Sequence, residues 1–164
     1  MDSNLRKIIM AVLIIILGLI IAQIRLNIYK KISNSQNEIY INWNIRLSTP
    51  DNIVNIFRSD PSFHGNGERY AYLEYSKDDI YRIKNSKEWI SINKDNIKLL
   101  NKKIEKFKEQ AFSISKSNTN PYKENPINIE LGDKYIYKTK NSADYIILIL
   151  KEKQRKVYLL EWTI

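Results

Sequence analysis

The most apolar stretch of the chain lies near its start, from Ile8 to Ile24. It carries no charged residue, and its one strongly polar residue is Gln23. A helix needs about 20 apolar residues, within a range of about 17–25, to cross roughly 30 Å of hydrocarbon. The polar face that a buried core helix would show is missing. Residues 8–28 are therefore predicted to form a transmembrane helix in the lipid bilayer, after a short basic tail at residues 1–7.

A cleaved signal peptide is the main alternative, because Arg6 and Lys7 precede the apolar run. Cleavage of a signal peptide requires small residues at the last position before the cut and two residues before that. Ala22 would suit the last position, but the other would then be Ile20, which is too large. We therefore interpret the segment as an uncleaved signal-anchor of a single-pass protein of the cell membrane. The tail before the span is short, and long C-terminal domains are exported largely regardless of charge. The N-terminus is predicted to lie inside and the C-terminal domain outside, which suits a chain without cysteine.

After a polar juxtamembrane linker at residues 29–37, the pattern changes to an alternation of apolar and polar residues. Residues 38–164 are predicted to form one globular domain. Alternation from Ile39 to Leu47 predicts a half-buried strand, and a similar pattern from Arg69 to Tyr75 predicts another. The short apolar run Ile53–Phe57 fits either a strand or one helical turn.

Ser76 is a predicted N-cap, followed by a short helix over Lys77–Lys87. A second helix is predicted from Asp95 to Gln110, with a one-sided apolar stripe. After this helix, Ser113–Pro126 is predicted to be a long loop. Three later runs are predicted to be strands: Lys134–Lys138, Tyr145–Lys151 and Val157–Thr163. Glu152–Arg155 is predicted to be the hairpin loop between the last two strands. The predicted fold class is α+β, with an antiparallel sheet and two helices on one face.

Charge is mildly basic along the predicted domain. The whole chain has 27 Lys and Arg residues against 18 Asp and Glu, a net charge of +9. Five of the basic and one of the acidic residues lie within residues 1–31, which leaves 22 against 17 for the rest. Such a domain approaches anionic surfaces easily. The possible partners are an anionic envelope polymer, lipid head groups or another protein, whereas nucleic acid is not expected.

Two surface features have an ordinary and a functional interpretation. The lysines of the second predicted helix either face water or lie on an acidic surface. The 11 tyrosines either cover a sheet face or form a stacking surface for sugars or bases.

One loop concentrates the candidate chemistry, because it holds the only histidine and two of the four glycines. Histidine exchanges a proton near neutral pH, and a nearby carboxylate would orient it. His64 with Glu68 or Asp60 is therefore the candidate catalytic set. The alternative is a structural turn, in which glycines allow an unusual backbone. The candidate ligand-binding residues are Phe63, His64, Gly65, Asn66, Gly67 and Glu68.

Metal and cofactor sites find little support in the sequence. One histidine and no cysteine leave zinc without its usual ligands. No EF-hand spacing, phosphate-binding loop, dinucleotide fingerprint or nucleophile elbow is present. We predict neither a metal nor a cofactor.

The loop Phe63–Glu68, the aromatic strand after it, Trp89 and the apolar C-terminal hairpin together resemble a known group of proteins. These are small membrane-anchored or exported proteins of low-GC Gram-positive bacteria that carry an H-G-x-G-E loop. Their function is unknown, so the resemblance implies no activity. Many of them have Asp at the position of Asn66, so this chain has one carboxylate fewer there.

Three functions follow as expectations from the sequence. The favoured one is a membrane-tethered binding or interaction module, because a complete catalytic set is not evident. The second is a cell-envelope hydrolase or transferase that uses His64 with Glu68 or Asp60. The third is an immunity or stress protein of the envelope.

Overall fold

The structure is a computed structural model that describes residues 3–59, 67–114, 120–140 and 143–163. The chain divides into two compact units, Met1–Asn44 and Ile45–Ile164. The fold is α+β, with one long N-terminal helix, a six-stranded antiparallel sheet and further helices among the described residues. The predicted fold class is confirmed.

The N-terminal unit is a single helix, α1, over Ser3–Trp43. Every side chain from residue 9 to residue 28 is exposed, although nearly all of them are apolar. Among the described residues, α1 is the one helix that is long and apolar enough to cross a membrane. The apolar N-terminal helix expected from the sequence is therefore present.

The predicted strand from Ile39 to Leu47 is wrong, because α1 continues through residues 29–37 and as far as Trp43. Ile32, Ser35, Ile39 and Trp43 are buried, and their spacing of three or four residues is that of a helix. Ile41, which a strand would have buried with Ile39, is 75% exposed. The helix ends at Trp43, and Asn44 after it has a positive φ of 49° and donates its N–H to Tyr40 O.

The sheet of the second unit has the strand order β1-β2-β6-β5-β4-β3, with every neighbouring pair antiparallel. The run at Ile53–Phe57 is the edge strand β1, which has a bulge between Asn55 and Phe57. The strands are β1 Asn52–Arg58, β2 Gly67–Glu74, β3 Ile90–Ser91, β4 Lys134–Lys140, β5 Asp144–Lys151 and β6 Lys156–Thr163. The central strands β5 and β6 are buried over most of their length.

Helix α3, Ile97–Ile114, packs its apolar stripe on one face of this sheet. Leu100, Ile104, Phe107 and Ala111 form one core cluster with sheet residues such as Ile147 and Leu160. A fully buried aliphatic or aromatic side chain contributes roughly 1.5–3 kcal/mol to stability. The predicted stripe is therefore the main attachment of α3.

Helix α2, Lys77–Lys84, begins at the predicted N-cap Ser76, whose Oγ accepts the N–H of Asp79 at 3.1 Å. It ends one turn earlier than predicted. The Lys134 ammonium group of β4 donates to Lys84 O, at the end of α2, at 2.6 Å. This bond attaches the end of α2 to the sheet.

The segment predicted as a long loop contains a short helix, α4, over Pro121–Glu124. Asn120 caps it by accepting the N–H of Tyr122 at 3.0 Å. Tyr122 is buried in the α3 core cluster. Tyr122, rather than a periodic apolar pattern, packs this segment into the core.

Candidate functional site

Five of the residues predicted for the site lie outside the described part of the chain. These are Asp60, Phe63, His64, Gly65 and Asn66. Gly67 and Glu68 are described, and they form the start of β2. The proposed pairing of His64 with Glu68 or Asp60 therefore stays a prediction.

The described residues on either side of residues 60–66 are held together by a compact set of hydrogen bonds. Ser59 N–H donates to Glu68 O at 2.9 Å, and Glu68 N–H donates to Ser59 Oγ at 2.7 Å. On the other side, Gly67 N–H donates to Thr163 Oγ1, and that hydroxyl donates back to Gly67 O, both at 2.9 Å. These bonds join Ser59 to the start of β2 and the start of β2 to the end of β6.

Gly67 is required here by close approach. A Cβ atom at this position would lie 2.8 Å from Ser59 Oγ, which is too close for a carbon–oxygen contact. The hydroxyl cannot move away without losing its bond to Glu68 N–H. The sequence singled out Gly67 for its backbone freedom, whereas the structure explains it by the space that Ser59 occupies.

Glu68 directly follows Gly67, and it lies in the protein interior with only 6% of its surface exposed. It lies opposite Trp162 in the pairing of β2 with β6. Its negative charge contributes to raising the pKa of Tyr122 and Tyr145, after the larger effect of burial. Burial, Tyr137 and Glu68 together raise the pKa of Tyr145 to about 12. The phenols near Glu68 are thus neutral hydrogen-bond donors at physiological pH.

Seven aromatic side chains of the described residues are joined by ring contacts, and we call them the aromatic cluster. Tyr70 and Tyr122 are stacked with ring centroids 5.1 Å apart, and Tyr145 and Trp162 are stacked at 6.4 Å. Phe107 of α3 meets both Tyr122 and Tyr145 edge to face. The cluster consists of Phe57, Tyr70, Phe107, Tyr122, Tyr137, Tyr145 and Trp162.

Two hydroxyl groups of the cluster differ in their partners. Tyr70 donates to Asn125 O, which ties α4 to the sheet. The Tyr122 hydroxyl is buried, and it has no hydrogen-bond partner among the described residues. A buried phenol without a partner carries a desolvation cost of about 1–3 kcal/mol. The interior beside Glu68 therefore holds an unused hydrogen-bond donor.

A pocket of about 310 Å³ opens between α3 and the end of the sheet where Trp162 lies, and we call it the aromatic pocket. Tyr137, Tyr145 and Trp162 supply its aromatic wall. Lys103 Nζ lies 3.9 Å from the centroid of the Tyr137 ring, and Tyr145 Oη donates to Gln110 Oε1 at 3.2 Å. Lys106, Thr139 and Asp144 complete its polar lining. The volume is at the lower end of the range for small-molecule sites.

The aromatic pocket presents flat rings, two ammonium groups, the Asp144 carboxylate and several hydrogen-bonding groups to one space. Aromatic faces stack on the apolar faces of ring-shaped ligands, and lysines attract negative charge. Among the described residues, no group of three or more His, Cys, Asp or Glu side chains is placed to hold a metal ion. The described geometry suits binding of a polar, ring-containing, anionic group.

The sequence does not reveal this pocket as a site, although both of its components are visible in the sequence separately. Lys103 and Lys106 appeared only as part of a lysine-rich helix, and the tyrosines only as sheet cover or a stacking surface. In the structure, Tyr70 and Tyr75 are fully buried, whereas Tyr137 and Tyr145 are half-buried and line the pocket. The spacing of Lys103 and Lys106 by one helical turn was the one available signal.

No protein-family model, no curated protein and no solved structure matches this chain.

Proposed function

We propose that this protein is a single-pass membrane protein whose second unit is an extracytoplasmic binding module. Its α1 helix would anchor the chain with the N-terminus inside, and the aromatic pocket would bind a sugar unit of an anionic envelope polymer. The observation that supports this most directly is the combination of Lys103 and Lys106 with the stacked Tyr145 and Trp162 in one pocket. Rings and ammonium groups together match a sugar that carries a carboxylate or phosphate.

The binding test uses the full chain in phosphatidylcholine nanodiscs. The probes are a hyaluronan tetrasaccharide, in which glucuronate alternates with N-acetylglucosamine, and chitotetraose, its uncharged counterpart. Isothermal calorimetry gives the dissociation constants for wild type and for Lys103→Gln/Lys106→Gln. We expect the charged probe to bind more tightly than the neutral one, and the double variant to weaken its binding about 10-fold, since exposed ion pairs contribute up to about 1 kcal/mol each.

A matched control removes two lysines from the same helix outside the pocket. Lys98 and Lys102 are both exposed on α3 and do not line the aromatic pocket. Lys98→Gln/Lys102→Gln should bind the tetrasaccharide like wild type. Equal weakening by both double variants, or equal affinity for the two probes, would contradict the proposal.

Orientation is tested separately with a reporter fused after Ile164. Alkaline phosphatase is active only after export, and green fluorescent protein carried through the general export pathway fluoresces only inside. We expect phosphatase activity and no fluorescence. The opposite pattern would place the second unit inside the cell and would exclude envelope polymers as ligands.

The hydrolase or transferase alternative has one observation in its favour, the buried carboxylate of Glu68 near the Tyr122 and Tyr145 phenols. A carboxyl group placed close to hydroxyl groups can take part in general acid–base chemistry. Incubating the tetrasaccharide with wild type and with Glu68→Gln, followed by mass spectrometry, tests it. Cleavage by wild type alone would replace the binding-module proposal with this one.

A further inference from the structure

A second depression lies at the other end of the β5–β6 hairpin, and we call it the hairpin groove. It has a volume of about 720 Å³ and lies between α2, the turn before β4 and the hairpin loop. The aromatic pocket includes Asp144 at the start of β5, whereas the groove includes Lys151 at its end. A strand of this length spans roughly 24 Å at about 3.4 Å per residue. The groove and the pocket are therefore separate surfaces of the same unit.

All three acidic side chains of the groove are engaged by lysines. Asp133 Oδ2 accepts a bond from the buried Lys151 Nζ at 2.7 Å, and Glu130 lies 3.8 Å from the same ammonium group. Glu152 Oε1 pairs with Lys84 Nζ at 2.6 Å. Lys151 is further satisfied by Asn128 O at 2.7 Å. The three acids of the groove thus share two lysines, Lys151 and Lys84.

The basic side chains of the groove contrast with this arrangement. Lys77, Lys153 and Arg155 are exposed and line the groove. None of the three forms an ion pair or a side-chain hydrogen bond within the part of the chain that the structure describes. They belong to two elements, the start of α2 and the hairpin loop. The groove therefore presents three basic side chains that take no part in an ion pair with the described residues.

The same groove exposes apolar surface. Leu131 is 56% exposed and Tyr81 is 62% exposed, and both line the groove together with the buried Ile80. Leu131 occupies a tight turn that Gly132 completes with a positive φ of 94°. A turn that presents leucine to water beside an exposed tyrosine leaves apolar area that a partner would cover favourably.

We propose that the hairpin groove binds an acidic peptide segment of a partner protein that also carries apolar side chains. Carboxylates of the segment pair with Lys77, Lys153 and Arg155, and an apolar side chain of the segment packs on Leu131 and Tyr81. A single phosphate or lipid head group would satisfy the charges, but it would leave the apolar floor of a 720 Å³ groove uncovered. Charge complementarity and exposed apolar surface together favour a peptide.

This interaction goes beyond the proposed sugar-binding function and shares no residue with it. The test again uses the full chain in phosphatidylcholine nanodiscs. The probe is a fluorescein-labelled decapeptide of alternating glutamate and leucine, and fluorescence anisotropy gives its dissociation constant. A second decapeptide with serine in place of leucine keeps the charge and removes the apolar contact.

We expect Lys77→Gln/Lys153→Gln to weaken binding of the glutamate–leucine peptide about 10-fold, because two exposed charge pairs are lost. Leu131→Ser should weaken it several-fold, and the glutamate–serine peptide should bind more weakly to wild type than the glutamate–leucine peptide does. Lys98→Gln/Lys102→Gln removes the same charge elsewhere and should have no effect. Lys103→Gln/Lys106→Gln should also have no effect, which separates this interaction from the aromatic pocket.

Three results would overturn the proposal. The first is equal affinity of the two peptides, which would show attraction by charge alone. The second is unchanged binding to Lys77→Gln/Lys153→Gln. The third is displacement of the peptide by millimolar inorganic phosphate at constant ionic strength, which would make the groove a site for a single anion.

Discussion

The buried ammonium group of Lys151 lies 2.7 Å from the carboxylate of Asp133, at the junction of β5 with the turn that precedes β4. Both side chains are largely removed from water, so this contact differs from the exposed ion pairs elsewhere in the domain. Breaking a buried pair leaves one charge without a partner in a medium that solvates it poorly. We therefore expect this ion pair, which lines the hairpin groove, to contribute to the stability of the whole domain.

We predict that Asp133→Ala lowers the free energy of unfolding by about 3–5 kcal/mol, because Lys151 then remains buried without its carboxylate. The double variant Asp133→Ala/Lys151→Met should cost less, since neither charge of the buried pair stays behind. Glu130→Gln is the control, because Glu130 is the distant and exposed partner and contributes under about 1 kcal/mol. Urea unfolding of the full chain in detergent, followed by tryptophan fluorescence, measures all three. An Asp133→Ala variant as stable as Glu130→Gln would contradict the assignment.

The attachment of α3 to the sheet is tested at Phe107, which is fully buried between Tyr122 and Tyr145. Phe107→Ala removes these edge-to-face contacts and leaves a cavity, so we expect a loss of about 3–5 kcal/mol. Leu99→Ala is the matched control, because Leu99 lies exposed on the same helix and should change stability by less than about 0.5 kcal/mol. Equal effects in the same unfolding assay would mean that α3 does not pack through this stripe.

Ser76 both accepts the N–H of Asp79 and donates to its carboxylate at 2.6 Å. Ser76→Ala removes the N-cap of α2 and should cost about 1 kcal/mol in the free energy of unfolding. Ser86, which lies exposed in the turn after α2, provides the comparison. Thermal unfolding monitored by circular dichroism should show a lower melting temperature for Ser76→Ala than for Ser86→Ala. The reverse order would exclude a capping role.

Stability should fall at alkaline pH, because burial raises the pKa of Tyr70, Tyr75, Tyr122 and Tyr145, that of Tyr145 to about 12. A tyrosine in the unfolded chain ionises near pH 10. The contribution of each raised group is complete below pH 10 and is lost as the pH rises through its folded pKa, since the unfolded chain releases the proton first. For Tyr145 this window is about pH 10–12.

The measurement is the free energy of unfolding between pH 8 and pH 11.5, paired with absorbance at 295 nm to follow tyrosinate. Tyr145→Phe should show a shallower decline above pH 10 than wild type, because one coupled ionisation is gone. Tyr81→Phe is the control, since Tyr81 is exposed. A decline that is the same in Tyr145→Phe and wild type would contradict the assignment.

Membrane attachment through α1 is tested by placing charge at its apolar centre. Ile14→Lys/Leu17→Lys should reduce the fraction of the chain that resists alkaline carbonate extraction, because each lysine costs about 2.5–3.5 kcal/mol at the centre of a spanning helix. Gln36→Lys/Asn37→Lys adds the same charge outside the apolar run and should leave that fraction unchanged. Full membrane retention of Ile14→Lys/Leu17→Lys would mean that another part of the chain holds it there.

The sequence pattern alone predicted an element correctly where the spacing of its apolar residues fits only one kind of secondary structure. The uncharged run in α1, the cap at Ser76, the stripe of α3 and the apolar strands β5 and β6 all follow from spacing over a few residues. The region from Ile39 to Trp43 was ambiguous, because residues four apart lie on one face of a helix and also on one face of a strand. Exposure of Ile41 in the folded chain, rather than its sequence position, distinguishes the two.

By itself, the sequence determined that an apolar helix precedes a mildly basic α+β domain and that chemistry-bearing residues cluster before β2. Only the tertiary structure decided that Tyr122 reaches the core, that Glu68 lies opposite Trp162, and that Lys103 and Lys106 share a pocket with Tyr145. The reason is physical. Periodicity shows which face of a helix or strand avoids water. A site depends on the register between strands from distant parts of the chain, such as β2 and β6, in which Gly67 pairs with Thr163. That register is set by packing of the whole domain.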